Sequence, residues 1–441
     1  MLLQTYVFYD LDLTTPAASV QSISFGSGAA LEGNYYRGRN LTLLRVASPV
    51  SLNNIPLKIG QPLTRFLDPG TVVTLIDYTG QGPIDGTFAG LPEGAELRAR
   101  NGQRFRISYA VGTGNDVTLT ALDHYSADHD FNGDGMSEIL WRNTQTGENY
   151  RWTMNGYVHT SGAVINQVPD SNWKIAANAD FDGDGDSDIL WRHATTGDNY
   201  MYLMQNGVIA SAGALDRVAT DWQIAGAGDF NGDGKADIVW RNPVTFENYL
   251  YLMNGRTLTR GGPLRSVPSD WSIGGIGDVN ADGMDDILWT NPTTSEVYLW
   301  QMNHHDIAGQ LLGRFPGFVV AGMGPFAART GYIREEADAK THFVLRNETT
   351  GAFMIHLSGG TVPYENRRPF LEGTVDPAWK LAAIGDYNRD SVDDILWRHS
   401  VTGENYLYLI TPAIANEPTS RGWYTGHALP PVPDTNWQIV R

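Results

Sequence analysis

The stretch Asp229-Phe230-Asn231-Gly232-Asp233-Gly234-Lys235-Ala236-Asp237 carries oxygen-bearing side chains at positions one, three, five and nine. Calcium is a hard cation that takes six to eight oxygen ligands at roughly 2.3–2.6 Å. In a tight turn, alternate residues point inward, so this spacing can converge on one ion. Glycine after the third ligand permits the sharp bend. The same spacing recurs at Asp130, Asn132, Asp134 and Glu138. It returns at Asp180, Asp182, Asp184 and Asp188, and at Asp278, Asn280, Asp282 and Asp286. The last copy is Asp386, Asn388, Asp390 and Asp394. Position seven is occupied by Met136, Asp186, Lys235, Met284 and Val392, side chains with nothing in common, which points to a backbone carbonyl as the ligand there. Five copies in register predict about five Ca²⁺ ions.

The first half of each loop resembles an EF-hand loop, but Trp141 and Trp240 stand where the distal Glu would be, and a strand-like run follows. The full spacing, D-x-(D/N)-x-D-G-x-x-(D/E), resembles that of FG-GAP/VCBS repeats, the blades of integrin-type β-propellers. The resemblance implies calcium held in loops between blade strands, and a role in adhesion or ligand recognition. The last copy departs from the pattern, with Arg389 and Ser391 where glycines are expected, which predicts weaker binding. His129 lies beside the first loop and predicts sensitivity to acid there.

Catalytic arrangements are not in evidence in the sequence. His193 and His399 follow Trp-Arg where other copies carry Asn143 and Asn242, so they read as repeat positions. His304-His305-Asp306 falls on a turn position and reads as an exposed turn before a transition-metal site. The chain contains no Gly-x-Ser-x-Gly elbow, P-loop or His-Glu-x-x-His. The reading is therefore of a non-enzyme, although a carboxylate-pair hydrolase or lyase has no fixed spacing to betray it.

The loops need elements to hold them, and the chain supplies these as a repeat. The leading acids Asp130, Asp180, Asp229 and Asp278 recur about every 50 residues, and Asp386 follows after a gap of two periods plus an insertion. A degenerate unit fills the gap: Phe343-Val344-Leu345-Arg346-Asn347 and Thr350-Gly351 keep the strands, while Phe326, Ala327, Ala328 and Arg329 replace the acids. Each unit runs from a Trp-led strand (Trp173, Trp222, Trp271, Trp379) through the loop to an Ile-Leu-Trp-Arg strand. A Thr-Gly-Glu-Asn turn, a Tyr-rich strand and an Asn-Gly hairpin signal complete it. Antiparallel units of this length predict the four-stranded blades of a β-propeller. Six units predict six blades, or seven if the N-terminal region contributes one. Trp437-Gln438-Ile439-Val440 repeats an opening strand, and the first unit lacks one, so the C-terminus is expected to complete the first blade and close the ring. The recurring Trp141, Trp191, Trp240, Trp289 and Trp397 are expected to be packing between blades rather than sugar-stacking surfaces. The tyrosine pairs Tyr200/Tyr202, Tyr249/Tyr251 and Tyr406/Tyr408, on outer strands, leave that choice open.

Residues 1–122 lack the repeat and are Thr-, Val-, Leu- and Gly-rich, an all-β composition. The run from Leu67 to Leu119, with Phe105-Arg106-Ile107-Ser108-Tyr109 near its end, resembles the closing segment of autotransporter-like β-solenoids. That resemblance implies the last rungs of a surface-displayed solenoid. The chain is thus expected to be all-β, with a smaller N-terminal domain over 1–122 and a calcium-binding propeller over 123–441.

Bulk properties narrow the function. Net charge is −18 and no basic cluster stands out, which argues against nucleic acid. About a third of the acids lie in the loops, and five Ca²⁺ would offset more than half of that charge. No cysteine is present, excluding disulfides, thiol catalysis and zinc–thiolate sites. No apolar run of about 20 residues exists to form a membrane-spanning helix, and the N-terminus has no signal-peptide pattern. The expectation is an extracellular or cell-surface binding and adhesion module that recognises a glycan or a surface protein. A self-assembling subunit of a surface layer or fibre is the first alternative, and an unsignalled carbohydrate hydrolase or lyase the second.

Overall fold

A computed structural model describes residues 6–7, 23–24, 31–32, 42–46, 50–52, 57–58, 71–98, 104–111, 115–121, 128–280, 282–326, 341–356, 369–390, 392–411 and 423–440. These residues form strands, turns and bends, with no helix among them. The chain divides into two compact units, Met1–Tyr125 and Ser126–Arg441.

In the first unit a five-stranded sheet runs in the order Thr42–Val46, Val72–Tyr78, Asp116–Ala121, Arg104–Val111, Glu96–Arg98. Its first pair is parallel and the rest are antiparallel. Short parallel pairs join Tyr6–Val7 to Leu31–Glu32, Leu31–Glu32 to Leu57–Lys58, and Ile23–Ser24 to Val50–Ser51. Leu75, Ile76, Phe88, Phe105, Ile107 and Val117 make its core. The described residues close neither a solenoid nor a barrel.

The second unit consists of six four-stranded antiparallel sheets among the described residues. The second sheet shows the pattern: Trp173–Ala179, Asp188–His193, Asn199–Gln205 and Val208–Leu215, paired in chain order. Burial follows from the residue types. Asp188–His193 is buried throughout, because both faces meet neighbouring sheets, whereas Val208–Leu215 alternates exposed with half-buried residues, as an outer strand must. A register shift between Ile175 and Ala177 kinks the inner strand, and the same shift recurs at Ile224/Gly226, Ile273/Gly275, Val320/Gly322 and Leu381/Ala383.

The first sheet takes its fourth strand from the far end of the chain. Trp437–Ile439 pairs antiparallel with Ile139–Asn143, setting Trp141 opposite Ile439 and Asn143 opposite Trp437. Successive sheets are then stitched by one hydrogen bond repeated around the unit. The N–H of Ser187, Ala236, Asp285, Thr341, Asp393 and Ser137 donates to the carbonyl of Asp130, Asp180, Asp229, Asp278, Pro325 and Asp386 respectively. The last of these joins the sixth sheet to the first. Side chains follow the same circuit: Arg142, Arg192, Arg241, Arg346 and Arg398 lie over the rings of Trp191, Trp240, Trp289, Trp397 and Trp141, at 4.8–5.1 Å. Those five indoles are 1–2% exposed, so they are packing, as their strand position implied.

Candidate metal loops

The second, third, fourth and last acidic loops each join an inner strand to the buried strand beside it, so their ligands sit where two rigid strands diverge; the first leads into Ile139–Asn143, whose inner partner is Trp437–Ile439. In the first loop the backbone wraps around one carboxylate: Asp130 Oδ1 accepts from the N–H of Gly133 at 2.7 Å and Oδ2 from Gly135 at 2.8 Å. Both glycines have positive φ, 70° and 83°, which is why glycine stands there. Asp229 repeats this with Gly232 and Gly234, and Asp180 with Gly183 and Gly185. Asp278 and Asp386 organise their loops through the N–H of Asp282 and Asp390. Arg389, standing in the glycine position of the last loop, adopts φ 61°, a left-handed conformation that costs an ordinary residue roughly 1–2 kcal/mol. Ser391 lies outside the described residues.

Positions three and five brace the turn. Asn132 Oδ1 accepts from the Asp134 N–H, and Asp134 Oδ1 accepts from the Met136 N–H. Asp182 and Asp184, Asn280 and Asp282, and Asn388 and Asp390 do likewise. In the third loop Asp233 accepts from Lys235 N–H, while Asn231 Nδ2 donates to Asp237. Side chains at position seven turn to neighbours. Asp186 meets Gly133, Lys235 packs on Gly183 and bonds Asn254, and Met284 lies over Gly232. Val392 is buried.

Position nine is the deepest. Asp188, Asp237, Asp286 and Asp394 are fully buried. Each accepts from two backbone N–H groups, that of the loop's second residue and that of a residue sixteen further on: Met204, Met253, Met302 and Ile410. Glu138 differs. It accepts from Phe131 N–H at 2.7 Å and from Asn132 Nδ2, and forms an ion pair with the Arg151 guanidinium at 3.1 Å.

Burial drives the carboxyl groups up despite these donors. Asp130 rises to about 7 and Asp229 to about 6, with the Asp134 and Asp233 carboxylates adding to the desolvation. Glu138, Asp188, Asp237 and Asp286 rise to about 8, again chiefly by burial. Asp394 is raised well above the ordinary carboxylate range and Asp390 is raised too, both chiefly by burial. Burial of clustered acids, with like charges beside them, disfavours their ionised form. Oxygens of Asp130, Asp134 and Glu138 lie within 4.8 Å of one another, as do those of Asp180, Asp182 and Asp188. Two oxygens each about 2.4 Å from one Ca²⁺ are at most about 4.8 Å apart, so both clusters fit that ion. The corresponding acids of the other three loops (Asp229, Asp233 and Asp237; Asp278, Asp282 and Asp286; Asp386, Asp390 and Asp394) are not brought within that distance of one another.

The recurring arginine was legible as a repeat residue, but its work was not. The Arg192 guanidinium donates to Gly197 O, Asn199 Oδ1, Val218 O, Ala219 O and Trp222 O, tying the turn of one sheet to the entry of the next. A charged residue ending an apolar strand in five units was the available signal. Of the histidines, His193 bonds Asp170 at 3.0 Å and sits edge-on to Trp173, a structural placement. His305 packs against Gly262 of the preceding sheet, with no carboxylate bonded to it among the described residues. Glu335 and Glu336, acids of the insertion ahead of Phe343 and read as a solvated loop, lie outside the described residues.

Residues 130–191 and 180–240 match the family model of the FG-GAP-like repeat, around the first three loops. Among solved structures, the chain is similar to a nidogen/laminin complex at 13% identity and TM-score 0.41, covering 65% of this chain and 96% of that one. It is similar to a Lactobacillus plantarum protein at 10% identity and TM-score 0.42, over 66% and 82%. A putative 6-phosphogluconolactonase from Bacteroides uniformis gives 12% and 0.39, over 77% and 94%. These likenesses are loose, and the architecture stands on the strand pairing above. Comparison with curated proteins finds no match.

Proposed function

We propose that residues 126–441 form a six-bladed β-propeller whose five acidic loops bind Ca²⁺, and that the propeller is a non-catalytic extracellular binding module for a glycan or a surface protein. The observation that carries the reading is the desolvated carboxylate at position nine, present in all five acidic loops and buried at the seam between sheets. Ion binding there would brace the seams and leave outer strands and turns as a rigid recognition surface. The role of the metal is structural: it neutralises acids that the fold has already gathered. The match to the FG-GAP-like repeat supports a binding module. The parallel ladder of short strands supports placing the first unit at the end of a surface-displayed solenoid. Terbium exchange followed by anomalous scattering counts the sites, with five expected. Two or fewer would sink the metal assignment. Calcium-dependent retention on a glycan array or on intact cell surfaces tests the binding role; equal retention with calcium and with chelator would remove calcium from it, and no retention on either would remove the role itself.

A further inference from the structure

A cavity of about 580 Å³ opens between the second and third sheets. Strand register explains why it is there. Trp152, Tyr202, Tyr251, Trp300 and Tyr408 occupy one repeat position, opposite Ile139, Ile189, Ile238, Ile287 and Ile395. Trp152 and Trp300 fill their seams with an indole and are buried. The Tyr202 hydroxyl accepts from Asn166 Nδ2 across the first seam at 2.7 Å. Tyr408 is covered by Tyr424, stacked at 4.1 Å. Tyr251 has no such cover. From the second sheet's side Leu190, Asn199, Ala214, Leu215 and Asp216 line the cavity beside it, and no hydrogen bond to its hydroxyl is formed among the described residues.

The floor of the cavity is apolar, from Leu190, Ile238 and Met253. Two opposite charges also line it. Arg256 crosses from the third sheet to lie against Gly213, one guanidinium nitrogen donating to Ser211 Oγ at 2.8 Å. Asp216 stands exposed in the same lining, and no ion pair joins it to Arg256. Two opposite charges kept apart over an apolar floor complement a ligand that carries both charges and a greasy body. A sugar platform is not offered: Arg192 covers a face of Trp240, and Tyr251 meets Trp240 at an interplanar angle of 61°.

We propose that this cavity binds a small zwitterion with an apolar side chain, such as an amino acid or dipeptide. Its carboxylate lies at Arg256 and Tyr251, its ammonium at Asp216, and its side chain on Leu190, Ile238 and Met253. The volume falls within the usual range of small-molecule sites, roughly 300–1,000 Å³.

The test is calorimetric titration of the full chain, in excess calcium, with leucyl-phenylalanine, 3-phenylpropionate and phenethylamine. Saturable binding of the dipeptide, tighter than that of either single-charge analogue, is expected. Arg256→Gln and Asp216→Asn should each weaken it by about 10-fold, the scale of one charge-assisted hydrogen bond. Ala214→Trp should abolish it by filling the space, with an unchanged melting temperature showing that the fold is intact. Absence of saturable dipeptide binding, affinity indifferent to both charge substitutions, or single-charge analogues binding as tightly would each overturn the assignment.

Discussion

Glutamate in place of aspartate at position nine lengthens the side chain by one methylene, and in the first loop this changes its partners. Asp188 spans two backbone donors, Phe181 N–H and Met204 N–H, each at 2.8 Å. Glu138 keeps only the first kind of bond and carries its other oxygen to Arg151, in an ion pair with side chains 1% and 11% exposed. Arg151 thus brings a fixed positive charge to a carboxylate that a metal would share. Burial remains the larger influence on Glu138, which rises to about 8 even with Arg151 beside it. Arg389 of the last loop lies against Gly135, adding a second cation near the same loop. The first loop should therefore be the weakest calcium site, below even the last loop, where Arg389 and Ser391 in glycine positions also predict weak binding. Arg151→Gln removes the competing charge at partial burial, and the weakest stepwise association constant, read by competition with a chromophoric chelator, should rise roughly tenfold. A weakest step that stays put would show that Arg151 anchors the neighbouring Gly207 turn and nothing more.

Closure is decided at the level of single strands. Without Trp437–Ile439, the strand Ile139–Asn143 has an open edge. Arg398 loses the Trp437 carbonyl it holds at 3.0 Å, and Tyr150 loses the edge-on indole of Trp437. Thr144 loses both of its bonds to the Asn436 carbonyl. Truncation after Asp434 should cost about 3 kcal/mol or more, at the large end for local changes, visible as a lowered urea midpoint. An unchanged midpoint would mean that the ring is held without this strand. Pairing of the C-terminal strand with the first sheet of the second unit was legible because Trp437-Gln438-Ile439 repeats the grammar of Trp173-Lys174-Ile175. The degenerate fifth unit was legible too, since Phe343-Val344-Leu345 keeps an apolar run that pairs with Ala352–His356. The seam chemistry was not. Which side chain crosses from one sheet to the next depends on turn geometry: Tyr157 stacks on His427, while Arg256 reaches Ser211 from the matching turn position. The cavity beside Tyr251 depends on what two separate strands leave unfilled, and no local spacing encodes that.

Across the whole ring, the acids set how stability responds to pH, and the sign depends on metal. Without metal, Asp130 and Asp229 are raised to about 7 and about 6, and Glu138, Asp188, Asp237 and Asp286 to about 8. Unfolded carboxyl groups titrate near 4. Between these limits the folded chain holds protons that the unfolded chain has released, so stability falls as pH rises. The metal-free protein keeps this contribution fully below about pH 4 and loses it progressively by about pH 8. Bound calcium reverses the sign: it holds the same carboxylates ionised in the folded state, below their unfolded values, so stability is present at neutral pH and lost on acidification. Melting temperatures in chelator should therefore drop from pH 5 to pH 8, while those in excess calcium should hold or rise, the two curves diverging with pH. General repulsion from a net charge of −18 also lowers stability at high pH, but it is screened by salt, whereas buried groups are not. The divergence should consequently survive in about 0.5 M KCl. It should also shrink in Asp237→Asn, which removes one titrating group from a loop whose other donors remain. Parallel curves with and without calcium would show that these loops close without metal and that their buried acids stay protonated at neutral pH.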